Sequence, residues 1–435
     1  MGVGNIIFLI IFIASSLLFT KNLKRIIRNI KLGKHVDRSD NPALRWKTMA
    51  RVALGQSKMV VRPIAGILHI LVYVGFVIIN IEVIEIIIDG IFGTHRVLSF
   101  LGSFYNFLIG SFEVLAFLVL VACVILYVRR NFVKIQRFWK PEMKGWPASD
   151  ANLILIFEVL LMSAFLFMDA ADFLLQERGV FHHAGAFPIS SMLSPMLAGF
   201  SDETLLLIER FCWWFHIIGI FGFLNYLVVS KHLHILFAFP NTYYSNLNPK
   251  GEFTNMASVT NEVKMMLDPN TDPFAAPSSD TPPERFGVKD VTDLNWVQLM
   301  NAYTCTECGR CTSECPANAT GKKLSPRKIM MDVRDRVEEV GKGIDKNGAD
   351  YSDGKSLLND FITTEELWAC TSCNACTEAC PINIDPLSII IDMRRYLVME
   401  ESAAPTELNM MFTNVENNGA PWQFPAADRL NWKDE

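Results

Sequence analysis

The sequence lacks the glycine-rich loops with which proteins commonly hold nucleotides. Neither G-x-G-x-x-G nor G-x-x-x-x-G-K-[ST] occurs in its 435 residues, so it carries no dinucleotide, flavin or nucleoside-triphosphate fingerprint. It offers no catalytic nucleophile in a recognisable motif either, and we assign no catalytic residue. Strand signals are also absent, which predicts an all-α fold. The chemistry that remains for this chain is to bind and orient cofactors.

Long apolar runs are absent from the second half and confined to the first 240 residues. The hydrophobic fraction of the whole chain is 51%. Five stretches approach or exceed the roughly 20 residues that cross a hydrocarbon core. The first has no basic start and no cleavage site, so we expect a retained anchor rather than a signal peptide. The five stretches are residues 3–20, 63–88, 104–128, 151–175 and 204–230.

Basic residues are scarce in two of the loops between these stretches and abundant in the others. Loops 89–103 and 176–203 carry one each, whereas 21–62 holds twelve Lys or Arg against two acids and 129–149 holds six against one. The positive-inside rule therefore predicts that 21–62, 129–149 and everything after residue 230 lie in the cytoplasm, with the N-terminus outside. We expect the cytoplasmic (inner) membrane of a prokaryote.

Eight of the ten cysteines form two copies of one spacing, C-x2-C-x2-C-x3-C-P. The first three thiolates of such a run bind one [4Fe–4S] cluster, and in two-cluster proteins the fourth binds the other cluster. Zinc favours paired CxxC or mixed Cys/His sets, and disulfides need an oxidising compartment, so both alternatives fit less well. The predicted ligands are Cys305, Cys308, Cys311 and Cys380 (the first cysteine set) and Cys370, Cys373, Cys376 and Cys315 (the second cysteine set).

Three of the eight histidines lie at depths that suit a haem. His69 is about two turns into the second apolar stretch. His216 and His234 are 18 residues apart, which in one continuous helix is five turns, or about 27 Å along one face. If the second and fifth helices pack together, His69 and His234 share the cytoplasmic depth and are predicted to ligate a b-type haem. The alternative is a hydrogen bond between helices.

His216 and His232 have different expected roles. His216 is a candidate for a second haem or for a quinone site, although no histidine of the second, third or fourth stretch lies at its depth. His232, two residues before His234, is expected to point away from it because two helical positions turn a side chain by about 200°.

Acidic residues are rare in the apolar stretches, and each is a functional candidate by default. A carboxylate in a bilayer is costly, and here it could carry protons that move with a quinone. Those near helix ends can instead reach interfacial water. The set is Glu82, Glu85, Glu113, Glu158 and Asp169.

The second half predicts a connector, a cysteine-bearing helical segment and a tail. Prolines and polar residues after 240 indicate an extended linker with one short helix near 257–267. Further helices are predicted to open at Ser325-Pro326 and at Pro386, and a capping box is predicted at Thr363–Glu366. The predicted domains are residues 1–239, 240–293, 294–400 and 401–435.

The segments Cys305-Thr-Glu-Cys-Gly-Arg-Cys-Thr-Ser-Glu-Cys-Pro316, Ser325-Pro-Arg-Lys328 and Leu367-Trp-Ala-Cys-Thr-Ser-Cys373 carry a family resemblance. Over about 100 residues the second half resembles the C subunit of heterodisulfide reductase. It is also similar to the α-helical ferredoxin domain of succinate dehydrogenase iron–sulfur subunits. The resemblance implies an α-helical ferredoxin fold with two [4Fe–4S] clusters.

Five apolar helices with histidines in the second and fifth resemble the gamma subunit of respiratory nitrate reductase and the membrane subunit of heterodisulfide reductase-type complexes. His69, His216 and His234 fall where that family has three of its four haem ligands. The expected fourth, about ten residues after His69, is Ile79 or Asn80 here, which leaves the inner haem intact and the outer haem open. Longer relatives add CCG domains for substrate chemistry. No CCG run occurs here, so we expect any such module on another polypeptide.

These features predict a five-helix transmembrane bundle followed by an α-helical two-cluster ferredoxin domain. Its expected function is to pass electrons between a cytoplasmic redox partner and the quinone pool, through two [4Fe–4S] clusters and one or two b haems. A CCG-domain module, a flavoprotein and a 2-hydroxy acid oxidase module remain open as partners, and no nucleic acid is expected. The alternative is a membrane anchor or iron–sulfur redox sensor without haem.

Overall fold

The computed structural model describes residues 2–268 and 285–434, which form helices joined by turns. Within these two ranges no β-strand occurs beyond two isolated bridges, as the sequence predicted. The first half contains α1 (Val3–Ile30), α2 (Pro42–Met49), α3 (Pro63–Phe92), α4 (Ser103–Asn131), α5 (Trp146–Glu177), α6 (Ser190–Leu193), α7 (Asp202–Leu227), α8 (His234–Tyr243) and α9 (Ala257–Leu267).

Five of these helices, α1, α3, α4, α5 and α7, are long and apolar enough to cross a membrane. We call them the apolar bundle, and they coincide with the five predicted stretches. Their outer faces carry large apolar side chains that are more than half exposed, among them Ile10, Leu17, Ile67 and Phe107. A lipid-facing bundle presents apolar surface on this scale, which indicates that the chain is membrane-associated.

Within the apolar bundle, neighbouring helices approach closely at glycines. A Cβ on Gly75 of α3 would lie 2.3 Å from Val119 of α4, and one on Gly219 of α7 would lie 2.5 Å from Leu161 of α5. Lipid tails are as apolar as the helices, so the hydrophobic effect does not drive helices together in a membrane. Close van der Waals packing at such glycines therefore helps to hold the helices together. The five helices form a ring in which each contacts the next and α7 returns to α1.

The fifth long helix ends earlier than the sequence predicted. A 3-10 turn separates α7 from α8. The carboxylate of Asp150, at the start of α5, accepts hydrogen bonds from Ser230 Oγ at 2.8 Å and from the backbone N–H of Lys231 at 3.0 Å. These bonds stabilise a turn in place of a continued helix. The prediction that His216 and His234 share one face of a continuous helix is therefore wrong.

Residues 285–434, which we call the C-terminal region, contain further helices whose starts follow the predicted signals. Ser325 caps α13, Thr363 and Glu366 form the capping box of α15, and Pro386 opens α17. The helices are α10 (Trp296–Thr304), α11 (Arg310–Ser313), α12 (Pro316–Ala319), α13 (Pro326–Asn347), α14 (Leu357–Asp360), α15 (Thr364–Trp368), α16 (Ala375–Ala379), α17 (Pro386–Met399) and α18 (Thr406–Asn418).

The C-terminal region packs directly on one end of the apolar bundle, which we call the near end. Ile26 of α1 and Phe237 of α8 belong to the same buried core as Leu299 of α10. The backbone N–H of Lys34 donates to Leu294 O at 2.7 Å. Only part of the predicted linker can be compared: α9 lies at the predicted 257–267, and residues 269–284 fall outside the described ranges.

Candidate cofactor sites

The two cysteine runs adopt the same local backbone. At the third position of each run, Glu307 and Ser372 have φ angles of 54° and 56°, and at the fifth position Gly309 and Asn374 have 71° and 63°. Residues in this left-handed region reverse the chain between successive cysteines. Each run is therefore a tight loop that leads into a short helix.

The first cysteine set surrounds one cavity. Cys305, Cys308, Cys311 and Cys380 all line it. Cys380 comes from the second run, so the structure brings together the four thiols that the sequence assigned to the first set. In the described part of the chain, no three His, Cys, Asp or Glu side chains lie close enough to bind a single metal ion.

The second cysteine set is more open. Cys370 is close enough to Cys315 and Cys373 to interact with both electrostatically. Cys376 interacts with Cys370 in the same way. Cys373 is exposed, whereas Cys315 and Cys376 are buried. The fourth thiol of the first run therefore belongs spatially with the second run, and this set lies near the surface of the C-terminal region.

Burial makes several of these thiols weaker acids than a free cysteine. It raises the pKa of Cys305 and Cys376 to about 12 and that of Cys380 to about 11. Without bound metal such thiols stay protonated at neutral pH, so ligation of iron must release protons. Eight thiols in two groups of four are the donor set that two [4Fe–4S] clusters require, and the residues therefore fit these cofactors.

The near end of the apolar bundle also brings His69 and His234 together. Their ring centroids lie 6.4 Å apart and their planes are inclined by 42°. Two imidazoles that bind one iron from opposite sides have centroids roughly 6 Å apart, because each metal–nitrogen bond is about 2 Å. His234 Nδ1 lies 3.1 Å from Lys231 O, which leaves Nε2 free as a ligand. Burial also lowers the pKa of His234, which favours the neutral imidazole that binds metals.

His232 lies closer to this pair than the sequence predicted. Its ring centroid is 5.3 Å from that of His234 and 5.3 Å from that of Phe223. The expectation that His232 points away assumed a helix, and residues 231–233 form a 3-10 turn instead. That expectation is wrong, although the ring contact of His69 is with His234.

His216 lies apart from the pair, deep in the apolar bundle. It is 2% exposed, its Nδ1 lies 3.0 Å from Leu161 O, and its ring neighbour is Phe165. Among the residues that the structure describes, no second histidine contacts it. His95 packs instead against Phe181 and His182 in the loops at the opposite, far end of the bundle.

The acidic residues of the far half form a buried network centred on Arg96. Its guanidinium donates to Asp172 at 2.6 Å and to Asp169 at 2.7 Å. Tyr105 OH, 3.3 Å from Arg96 Nη1, donates to Glu85 at 2.9 Å. Glu82 is only 4% exposed and its Oε2 has no hydrogen-bond partner. The sequence placed Arg96 in a loop and gave no sign that it would fold inward against these acids.

Several polar residues that join the cysteine loops to the near end were also missed from the sequence. Arg310 donates to Lys58 O at 2.9 Å and to Met59 O at 3.1 Å, just before α3. Arg327 is fully buried and donates to Glu142 at 2.6 Å. Both arginines stand within the segments quoted for the family resemblance, but their partners are distant in sequence and no motif indicates them.

Comparison with known protein families supports iron–sulfur clusters as the cofactors of the cysteine-bearing region. Residues 304–384 match the family model of the 4Fe-4S dicluster domain. The chain therefore carries a 4Fe-4S dicluster domain beside five membrane-length helices.

Its relatives are iron–sulfur oxidoreductases and heterodisulfide reductase subunits. The chain is 29% identical to the probable iron-sulfur-binding oxidoreductase FadF of Bacillus subtilis (strain 168), over 99% of this chain and 61% of the relative. It is 29% identical to the EtfAB:quinone oxidoreductase of Syntrophomonas wolfei, over 92% of this chain and 55% of the relative.

A shorter match covers about a quarter of the chain. Over 107 residues the chain is 33% identical to the C subunit of a ferredoxin/F(420)H(2)-dependent CoB-CoM heterodisulfide reductase of Methanosarcina acetivorans, which is 24% of this chain and 52% of the relative. The predicted resemblance to the C subunit of heterodisulfide reductase is thereby confirmed. The chain spans about three fifths of the length of its full-length relatives. No solved structure matches it.

Proposed function

We propose that this chain passes electrons between a cytoplasmic redox partner and the quinone pool, through two [4Fe–4S] clusters and one b-type haem. The observation that carries the proposal is the position of the first cysteine set, whose loop contacts Lys58, Met59 and Lys231 at the end of the apolar bundle where His69 and His234 face each other. Bound together, these cofactors supply a series of one-electron carriers from the surface of the C-terminal region into the membrane.

The two cysteine sets have different surroundings, which suggests an order of electron transfer. The exposed thiol, Cys373, belongs to the second set, so a partner could approach that cofactor closely. The first set is buried and its loop is held by Arg310 against the start of α3. We therefore propose that the second set exchanges electrons with the partner and the first set with the haem.

The partner follows from the name of one relative. EtfAB:quinone oxidoreductase names EtfAB and quinone together, and that relative covers the apolar bundle as well as the cysteine sets. We propose an EtfAB-type partner for this chain, in preference to a CCG-domain or 2-hydroxy acid oxidase module. The basic loops 21–62 and 129–149 lie on the same side as the C-terminal region, as Arg62–Glu314 and Arg327–Glu142 contacts illustrate. The positive-inside rule then assigns that side to the cytoplasm.

The buried acids of the far half provide the protonatable groups that a quinone reaction needs. Arg96 pairs with Asp169 and Asp172, and three further buried carboxyl groups (Glu82, Glu85 and Glu113) lie close enough to interact with it electrostatically. It is very unfavourable to keep several ionised carboxylates around one cation in a medium of low dielectric constant. Some of these carboxyl groups must therefore be protonated. Glu82, whose Oε2 is unpartnered, is our candidate for the group that exchanges a proton with quinone.

Measuring haem and iron on the purified chain in detergent tests the proposal. We expect about eight iron atoms in clusters and one low-spin b haem per chain, with both reoxidised by added quinone. A protein with eight cluster irons and no haem would instead be the iron–sulfur anchor or sensor. Two haems per chain would show that His216 finds a second ligand.

A further inference from the structure

The turn between α7 and α8 connects the two candidate cofactor sites through a single lysine. Lys231 has a side chain only 9% exposed, and its ammonium group pairs with the carboxylate of Glu307, which is 2% exposed. Nζ also donates to Pro147 O at 2.6 Å. Glu307 lies between Cys305 and Cys308, within the loop of the first cysteine set. A buried cation from the turn that follows α7 thus reaches into that loop.

Glu307 is held on both carboxylate oxygens. Lys231 binds Oε2, and Arg334 of α13 donates to Oε1 at 2.7 Å. The backbone of Glu307 is in the left-handed region, with φ at 54°, which non-glycine residues adopt only when their surroundings fix them. The ion pairs therefore help to hold the loop in the shape that gathers the first cysteine set.

The backbone of the same lysine holds the histidine pair. Its carbonyl accepts the hydrogen bond of His234 Nδ1 at 3.1 Å, and its N–H donates to Asp150 at 3.0 Å. Such a partner fixes the ring orientation and tautomer of a ligating histidine. The side chain of Lys231 thus holds one site while its carbonyl orients the other.

We propose that Lys231 is a positioning residue that couples the loop of the first cysteine set to His234, so that the two sites share their geometry and their electrostatic field. The inference rests on the proposed function for the cofactors, but the contacts themselves involve only this chain. An ion pair with a merely structural role would join the two halves of the chain, and its removal would leave the reduction potentials of both cofactors unchanged.

Reduction potentials give the first test, with equilibrium titrations followed by electron paramagnetic resonance for the first cluster and by absorbance for the haem. Lys231→Met removes the positive charge that pairs with Glu307 and loosens the turn whose carbonyl orients His234, so it should lower both potentials. Glu307→Gln removes a negative charge and should raise both. We expect each change to alter the one-electron equilibria about tenfold, equivalent to about 59 mV. Lys231→Arg should restore both values.

The matched control is the exposed pair Lys250–Glu378, whose side chains are 73% and 55% exposed. Glu378 occupies the second cysteine run, so Lys250→Met removes an exposed ion pair from a cysteine loop without touching the turn. Its potentials should equal those of the wild type. A change in the reduction potential of only one cofactor in Lys231→Met would overturn the coupling. Changes in Lys250→Met as large as those in Lys231→Met would also overturn it.

Hydrogen–deuterium exchange gives a second test, which requires no measurement of a reduction potential or of quinone turnover. In Lys231→Met, peptides covering 305–311 and 228–236 should exchange faster together, while both stay protected in Lys250→Met. If only one peptide responds, the coupling is wrong. If the wild type holds no haem, the proposed function fails, and the exchange result still decides whether Lys231 links the two segments.

Discussion

At the scale of single residues, the fourth cysteine of each run is the hardest to assign to a cluster, because its neighbours in sequence belong to the other cysteine set. Cys380 follows Cys376 by only four positions, yet it lines the cavity of the first cysteine set. Cys315 likewise lies within reach of Cys370 rather than closing its own run. The two runs are therefore interdependent, and loss of one fourth ligand should damage the cluster of the other run.

Cys315→Ser provides the test of this exchange. We expect loss of the second cluster, with iron falling from about eight to about four atoms per chain and the first cluster retained. Electron paramagnetic resonance and iron analysis measure both quantities. Cys123→Ser, a buried cysteine of α4, should leave the iron unchanged. Selective loss of the first cluster in Cys315→Ser would show that each run keeps its own four ligands.

The histidine pair gives a second prediction at this scale. His69→Ala and His234→Ala should each remove the same low-spin haem, because either change leaves a single ligand. The absorbance spectrum of the reduced protein measures the loss. His183→Ala, at an exposed site in a far-end loop, is the control. Full haem in His69→Ala would exclude the pair, and His232, 5.3 Å from His234, would become the ligand to examine.

At the scale of elements, the contact between α13 and the loop that joins α4 to α5 helps to hold the C-terminal region on the apolar bundle. Arg327 is fully buried and its partner Glu142 has a side chain 11% exposed. Removing one partner of a buried pair costs about 3–5 kcal/mol. We therefore expect Glu142→Ala to lower the thermal stability of the cluster absorbance, whereas Glu365→Ala, from an exposed pair with Lys323, should cost less than about 1 kcal/mol.

The same pair predicts a pH dependence. Burial raises the pKa of Glu142, but the hydrogen bond and charge of Arg327 outweigh it, so the pKa is lowered from 4.5. A carboxyl with a lowered folded-state pKa stabilises the protein fully above 4.5 and loses that contribution as the pH falls through its folded value. The stability difference between wild type and Glu142→Ala should therefore shrink below pH 4.5. An unchanged difference at lower pH would contradict the ion pair.

What the sequence could predict at these two scales was local or periodic. The cysteine runs, the five apolar stretches and the caps at Ser325 and Thr363 depend on near neighbours, and each is found where it was expected. The end of α7 was missed because its cause, Asp150, lies 80 positions from Ser230. Contacts such as Arg327–Glu142, 185 positions apart, have no spacing rule that would reveal them before the chain is folded.

At the scale of the whole molecule, the candidate sites are arranged from the surface of the C-terminal region to the far half of the apolar bundle. The exposed Cys373 is at one end and the acids around Arg96 are at the other, with His69 and His234 between them. This order fits a chain that carries electrons inward and exchanges protons deep in the bundle.

The proton side of this arrangement is tested with Glu82→Gln. We expect quinone reduction to slow by at least about tenfold, because a buried proton donor or acceptor typically contributes more than that, while cluster and haem spectra remain normal. Stopped-flow absorbance with a short-chain naphthoquinone measures the rate. Glu203→Gln, at an exposed position in the first turn of α7, is the control. A wild-type rate in Glu82→Gln would exclude the residue from proton transfer.

The most direct measurement of the central claim follows the clusters after quinone addition. The purified chain would be placed in lipid vesicles, reduced with limiting dithionite and mixed with the naphthoquinone, and cluster oxidation would be followed by rapid-freeze electron paramagnetic resonance. We expect both clusters to be reoxidised rapidly in the wild type and to remain reduced in His69→Ala, because electrons could then no longer reach quinone through the histidine pair. Reoxidation at the wild-type rate in a haem-free His69→Ala protein would contradict the proposed route.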